Sequence, residues 1–265
     1  MLEDLQGTNP TLTLVDEKAV YRLLPGYDRN DEFEASGITR RGDFLYVVFD
    51  ERKAIGRFHR GLYTNSALNT LIGSGNDSNH EAITLDSHGT PNFYVAVEAV
   101  LRRGKYYPHI KEYDEDLDLQ YSNRIDYEVP SGNKGFEGLA WLRRDDEDYL
   151  LGMFESDGTV VVLQQDGHDW DVVTTIDAPV DFGDYSDLAI DPDTLRVAIT
   201  SQLDGKLWVG ALSPSSWAFS GYGVIYDFPA GYDEVEGVTW LDATTIATCT
   251  DKGAGKEQSV QIFRL

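Results

Sequence analysis

The sequence predicts an all-β chain folded as a single five-bladed β-propeller of four-stranded antiparallel blades. Three observations lead there. A short phrase recurs about every fifty residues, each copy is followed by further strand-like runs, and the last repeat is one strand short while the N-terminus has one to spare.

The phrase stands out in GFEGLAWL (135–142). Aligned copies are SGIT (36–39), EAIT (81–84), EGLA (137–140), SDLA (186–189) and EGVT (236–239). The columns read acidic or hydroxyl residue, small or acidic residue, branched aliphatic, then Thr or Ala. Each copy opens the first strand of a blade, so the blades start near 36, 81, 137, 186 and 236. Second strands follow as DFLYVVFD (43–50), NFYVAVEA (92–99), DYLLGMFE (148–155), LRVAITSQ (195–202) and TTIATCTD (244–251). AIGRFHRG, HIKEYDED, TVVVLQQD, KLWVGALS and SVQIFRL supply third strands. Fourth strands read NTLIGSG, NRIDYEV, VVTTIDA and GVIYDFP. The fifth blade ends at Leu265 after three strands, and AVYRLLPG (19–26) is predicted to complete it after a lead-in over 1–18. Such closure leaves no long sheet edge to template aggregation. Residues 1–265 then form one domain, without room for a sixth repeat. Two immunoglobulin-like sandwiches would leave the regular phrase unexplained.

Composition agrees. A chain of 265 residues can bury a full core, Tyr 15, Phe 11 and Trp 5 favour strands, and Gly 25 provides turns. No stretch reads as a long amphipathic helix. The 46 acidic and 22 basic residues leave a net charge of −24, which argues against a nucleic-acid partner and against docking on anionic lipid. Divalent-cation binding, a basic partner or a solvated acidic surface remain. The single cysteine, Cys249 in TIATCTDKG, precludes an intrachain disulfide and reads as a buried inert thiol. No run resembles a membrane span, so no membrane insertion is expected. MLEDLQGTNP lacks the basic and apolar regions of a signal peptide, which suits a cytosolic chain or a mature secreted domain. Asn76-Asp77-Ser78 is a glycosylation sequon of a kind that arises by chance.

In a propeller, residues at one repeat position form a ring around the channel. Ser36, Glu81, Glu137, Ser186 and Glu236 are predicted to do so, with Asp187 one residue further in and Glu34 just before. Carboxylates crowded there must take up protons, bind water or basic partners, or share a cation. Oxygen donors without cysteine suit Ca²⁺ before Mg²⁺, with Glu81, Glu137, Asp187 and Glu236 as metal ligands. The same acids could instead cap loop amides and hold blades together. A second column falls where strand two ends: Asp50-Glu51, Glu98, Glu155, Ser201-Gln202 and Asp251-Lys252. Its basic company, Lys53, Arg102, Arg103 and Lys252, could form ion pairs or meet an anionic substrate.

GSGNDSNHE (73–81) lacks the Gly-Lys-Ser/Thr of a phosphate loop; it reads as a connection delivering His80, a candidate base, and Glu81 to the mouth. YDEDLDLQ (113–120) places Leu119 and Ile125 where a calcium loop needs Gly and Glu, so it reads as a hairpin. DPDT (191–194) and RRDDED (143–148) read as solvated tips. No Gly-x-Ser-x-Gly, His-Glu-x-x-His or Cys–His pairing occurs, leaving metal-assisted attack by water as the accessible chemistry.

FEASGIT with FLYVVFDE, HEAITLD, KGFEGLAWL, YSDLAIDP and EVEGVTWL together resemble the SdiA-regulated family of bacterial β-propellers, a neighbour of esterase-like and phytase-like propellers. The resemblance spans nearly the whole chain and implies a calcium ion and an extracytoplasmic setting, without catalytic residues to carry over. Two functions follow. One is a calcium-dependent hydrolase of phosphoesters, esters or lactones, with metal on the first ring, Glu98, Glu155, Asp251 or His80 as base, and Lys252, Arg102, Ser36 and Ser186 contacting substrate. The other is a non-catalytic module using the acidic mouth for a sugar, peptide or basic protein, with Tyr106, Tyr107, Trp170, Trp217 and Tyr232 available for stacking. A scaffold without a ligand is the third alternative, and no organic cofactor is expected.

Overall fold

A computed structural model describes residues 8–50, 52–73, 79–132, 134–232, 234–251 and 258–265. Five four-stranded antiparallel sheets form the blades. The first comprises β2 (Ala35–Arg41), β3 (Phe44–Phe49), β4 (Ala54–His59) and β5 (Thr70–Gly73). The second has β6 (His80–Leu85), β7 (Phe93–Arg102), β8 (Lys105–Tyr113) and β9 (Leu119–Arg124). Blade three has β10 (Gly138–Arg144), β11 (Glu147–Met153), β12 (Thr159–Asp166) and β13 (Asp169–Asp177). Blade four has β14 (Asp187–Asp191), β15 (Arg196–Ser201), β16 (Lys206–Leu212) and β17 (Phe219–Asp227). In blade five, β18 (Val235–Trp240), β19 (Thr245–Thr250) and β20 (Ser259–Arg264) are joined on the outside by β1 (Thr13–Ala19). Each innermost strand touches the next, and β18 returns to β2, so the ring is closed. No helix among the described residues is long and apolar enough to cross a membrane.

The closing strand lies upstream of the predicted 19–26. Thr13–Ala19 pairs with β20 from Thr13↔Arg264 to Ala19↔Ser259, while Val20–Leu23 form a single helical turn, α1. Val20, Leu23 and Leu24 follow helical spacing and are buried against blade one. The true outer strand carries Asp16, Glu17 and Lys18, because an outermost strand keeps one face in water. Closure is reinforced by Gln258, whose side-chain oxygen accepts the backbone N–H groups of Phe33 (2.6 Å) and Glu34 (3.0 Å). Glu17 accepts hydrogen bonds from Ser259 and Tyr232. In blade two the fourth strand is Leu119–Arg124 rather than NRIDYEV. YDEDLDLQ forms the expected hairpin, its turn capped by Asp114, which accepts the N–H groups of Asp116 and Asp118.

Five apolar clusters fill the five gaps between blades. The branched aliphatic of each phrase (Ile38, Ile83, Leu139, Leu188, Val238) packs toward the preceding blade. The residue before it faces the following blade, where the inner strands nearly touch. A Cβ on Gly37 would lie 2.8 Å from Cα of Ala82, one on Gly138 2.6 Å from N of Leu188, and one on Gly237 2.9 Å from N of Ile38. Backbone cannot yield there as a flexible side chain can. Cys249 is buried in the gap between blades five and one, as expected for an inert thiol. Gly138→Ala is expected to destabilise the fold by about 1–3 kcal/mol through overpacking, measured by urea unfolding; unchanged stability would refute the close approach.

Candidate functional site

One end of the channel is built by backbone irregularity. In β2, β6 and β18 the pairing with the second strand skips one residue, between Ala35 and Gly37, His80 and Ala82, and Val235 and Gly237. The skipped residues are Ser36, Glu81 and Glu236. Two positions upstream stand Glu34, Asn79 and Glu234, with φ of 49, 66 and 73°, a left-handed conformation that L-residues adopt at a cost. Such bulges re-aim side chains, here toward the axis. In blades three and four the equivalents, Glu137 and Ser186, precede the strands and donate their backbone N–H to Met153 and Thr200.

These five residues line one cavity of about 80 Å³, together with Asp50, Glu155, Asp184, Gln202 and Asp251. The structure thus joins the first column to four members of the second, and seven of the ten lining residues are acidic. Lys134, 3.2 Å from Glu155, is the ion-pair partner at this rim. Ser186 Oγ accepts the N–H of Gln202. Asp184 accepts hydrogen bonds from the Ser201 hydroxyl and the N–H of Leu203.

Burial and mutual repulsion dominate the electrostatics. Burial, then the charges of Glu137, Asp50 and Glu98, push Glu81 up to about 9, helped by a hydrogen bond between the Glu81 and Glu137 side chains. Burial, then Glu155 and Glu236, raise Glu137 to about 8 against the opposing pull of Lys134. Glu236 is pushed well above the usual carboxylate range by burial and by Asp251, Asp184 and Glu81. Burial also raises Glu98 and Asp184. Both shifts favour a proton shared within the Glu81–Glu137 pair.

Other sequence candidates fall elsewhere. Asp187 does not line the cavity. It occupies the second position of its phrase, the one that faces the next blade, and its carboxylate accepts the N–H groups of Leu188 (2.7 Å) and Val238 (2.8 Å). It therefore clasps blade four to blade five. His80 pairs with Val97 and is fully buried, outside the lining. Glu98 stands half-buried beside the cavity and acts on it through charge. Arg102 is exposed at the tip of the β7–β8 hairpin, opposite Lys105. Lys252, Glu51 and the sequon lie outside the described residues. Trp170 and Tyr232 fill core gaps, and Trp217 lies under Arg144 at 3.9 Å. Asp184 and Lys134 were missed; Asp184 shares its repeat position with Glu34, Asn79 and Glu234, a polar column two residues before the ring.

For a cation, the chemistry of this donor set fits a hard ion, its donors being carboxylate, hydroxyl and amide oxygens. Among the described residues, no three such side chains are arranged to hold an ion as they stand, so binding requires the carboxylates to draw together.

A carboxyl whose folded pKa exceeds its unfolded value stabilises the fold fully below the unfolded value, and this contribution is lost as pH rises through the folded one. In chelator, stability is expected to fall from about pH 5 to pH 9, the span between the ordinary 4.5 and about 9 for Glu81. Glu81→Gln with Glu137→Gln should flatten that slope and leave the variant more stable than the parent at the alkaline end. Equal slopes in urea titrations would contradict it.

No family model matches the chain, and no curated protein sequence matches it significantly. Solved structures do match in fold. Glutaminyl cyclase of Myxococcus xanthus has a TM-score of 0.55 at 8% identity, covering 96% of this chain and 97% of its own. A luciferin-regenerating enzyme gives 0.51 at 11%, covering 94% of each. The PQQ-bound aldose sugar dehydrogenase of Streptomyces coelicolor gives 0.49 at 11%, covering 94% and 98%. The chain is a five-bladed member of this broad β-propeller architecture.

Proposed function

We propose that the acidic mouth is a cation seat, for calcium before other divalent ions, around which the propeller hydrolyses a neutral ester or lactone. The observation that carries this reading is the convergence of seven acidic side chains on one 80 Å³ cavity. Glu81, Glu137 and Glu236 would hold the ion, with the hydroxyls of Ser36 and Ser186 beside them. Bound calcium would supply a positive charge that polarises a carbonyl oxygen. Asp50, Glu155 and Asp251 line the cavity, and one of them would take a proton from an attacking water. The resemblance of the repeat to SdiA-regulated propellers supports the calcium ion and an extracytoplasmic setting.

Among the three substrate classes read from the sequence, charge favours the neutral ones. A phosphoester would bring negative charge against this carboxylate ring, and the nearby Lys134 is already paired with Glu155. A second reading, a non-catalytic module for a basic ligand, is favoured by a pocket of about 560 Å³ beside the mouth. Glu155, Asp184, Glu234, Gln202 and Leu203 line it, and Leu203 is 73% exposed.

A ligand that binds only the native state raises the melting midpoint. Calcium added after chelation is expected to raise it, and Glu137→Gln to remove most of that rise. No shift at about 1 mM calcium, roughly the weakest affinity of extracellular calcium modules, would overturn the cation seat. If calcium binds, turnover of neutral esters or lactones that Glu155→Gln abolishes supports the hydrolase, and its absence across a broad screen supports the module.

A further inference from the structure

The other end of the channel carries a separate cavity of about 540 Å³. Its floor is set by the same strand alternation that builds the acidic mouth. The fourth residue of the phrase is Thr39, Thr84 or Thr239 in three blades, and all three line this cavity while being at most 9% exposed. Thr84 accepts the backbone N–H of Trp141 at 3.0 Å, which leaves its hydroxyl hydrogen free to donate. The fifth residue contributes Arg40, Trp141 and Trp240 to the wall.

Arg40 is held as a fixed donor rather than as half of an ion pair. Its guanidinium donates to the carbonyls of Gly42 and Leu241, bridging blade one to blade five, and it makes no ion pair among the described residues. Trp141 and Trp240 are 4% and 9% exposed, and their indole N–H groups are buried with no acceptor. Buried polar atoms are seldom left unmet in native proteins, so two such donors in the wall of one cavity point to an acceptor that arrives from outside. Acceptors are present as well. Asp191 and Asp242 line the cavity; each caps its own turn, receiving N–H and hydroxyl bonds from Asp193 and Thr194, and from Thr244. A carboxylate offers about four acceptor sites; Thr244 and Thr245 fill those of Asp242, while Asp191, with two bonds, retains capacity. Asp193 completes the acidic side, while Arg41 is neutralised by Glu115 at 2.9 Å.

Charge then selects the ligand class. An oxyanion would meet Asp191, Asp193 and Asp242, and an ammonium would meet the fixed Arg40. A neutral polyol meets neither penalty, because every hydroxyl both donates and accepts. We propose that this second mouth, lined by Thr39, Thr84, Thr239, Arg40, Trp141 and Trp240, binds a small neutral carbohydrate of one or two rings. The site is independent of the acidic mouth and of any cation there.

The test is calorimetric titration of the full chain with glucose, galactose, mannose, maltose and cellobiose. At least one should bind saturably. Trp240→Phe keeps an aromatic ring and removes the N–H, Thr39→Val removes a hydroxyl at nearly constant shape, and each should weaken that sugar by about tenfold. Tyr222→Ser, which removes an aromatic fully exposed on β17, should leave affinity unchanged and excludes surface stacking. Should Trp240→Phe fail to fold by its melting curve, Arg40→Met and Thr39→Val decide. No saturable heat up to about 50 mM sugar, undiminished affinity in Thr39→Val and Arg40→Met, or binding of malonate or lysine but of no sugar would each overturn the proposal.

Discussion

The constraint on which the rest of the structure depends is the near contact of neighbouring inner strands around a five-membered ring. At Gly37, Gly138 and Gly237 the next strand's backbone stands where a Cβ would be, so the small residue of the phrase follows from ring size. The same crowding explains the acidic mouth. Inner strands this close leave a cavity of only about 80 Å³ for ten side chains. Carboxyls that would be solvated at the lip of a wider ring are buried together here, and that burial, then mutual repulsion, raises Glu81 and Glu137 far above ordinary carboxylates.

Asp187 shows the contrast within one repeat position. Its neighbours in the alignment are Gly37, Ala82, Gly138 and Gly237, and it too faces the adjoining strand. Its buried carboxyl spends its acceptors on backbone N–H groups of blades four and five, bonds that a buried polar group needs in order not to destabilise. Burial drives this group toward its neutral form as well, yet its partners are peptide groups rather than other acids. Asp187 therefore stitches blade four to blade five, while the position before it in each phrase lines the cavity, re-aimed by a bulge in three of the blades.

Much of this was legible in the sequence because a propeller repeats its geometry: five phrases, five inner strands and a shared ring of Ser36, Glu81, Glu137, Ser186 and Glu236. The closing strand was not legible as such. The run 19–26 stands just before the first repeat, whereas the outermost strand of a blade is half solvated and here bears Asp16, Glu17 and Lys18. Acidity alone does not place Asp187 in the ring, because it stands in the column of Gly37, Ala82, Gly138 and Gly237. Asp184 and Lys134 escaped because they belong to connections, where the repeat is loosest. The opposite cavity was hidden for a different reason: its threonines and tryptophans look like ordinary strand residues until the ring brings them together.

The two ends of one channel thus differ in chemistry, one walled by carboxyls and the other by hydroxyl, indole and guanidinium donors. The cation seat proposed on Glu81, Glu137 and Glu236 can be probed directly. Anomalous scattering from a crystal soaked in a lanthanide, a calcium surrogate, tests it most directly. The account predicts a peak on the channel axis about 2.3–2.6 Å from oxygens of Glu81, Glu137 and Glu236, with the Glu81–Glu137 bond broken. A saturated soak with no peak there, and with those two side chains still bonded to each other, would contradict it.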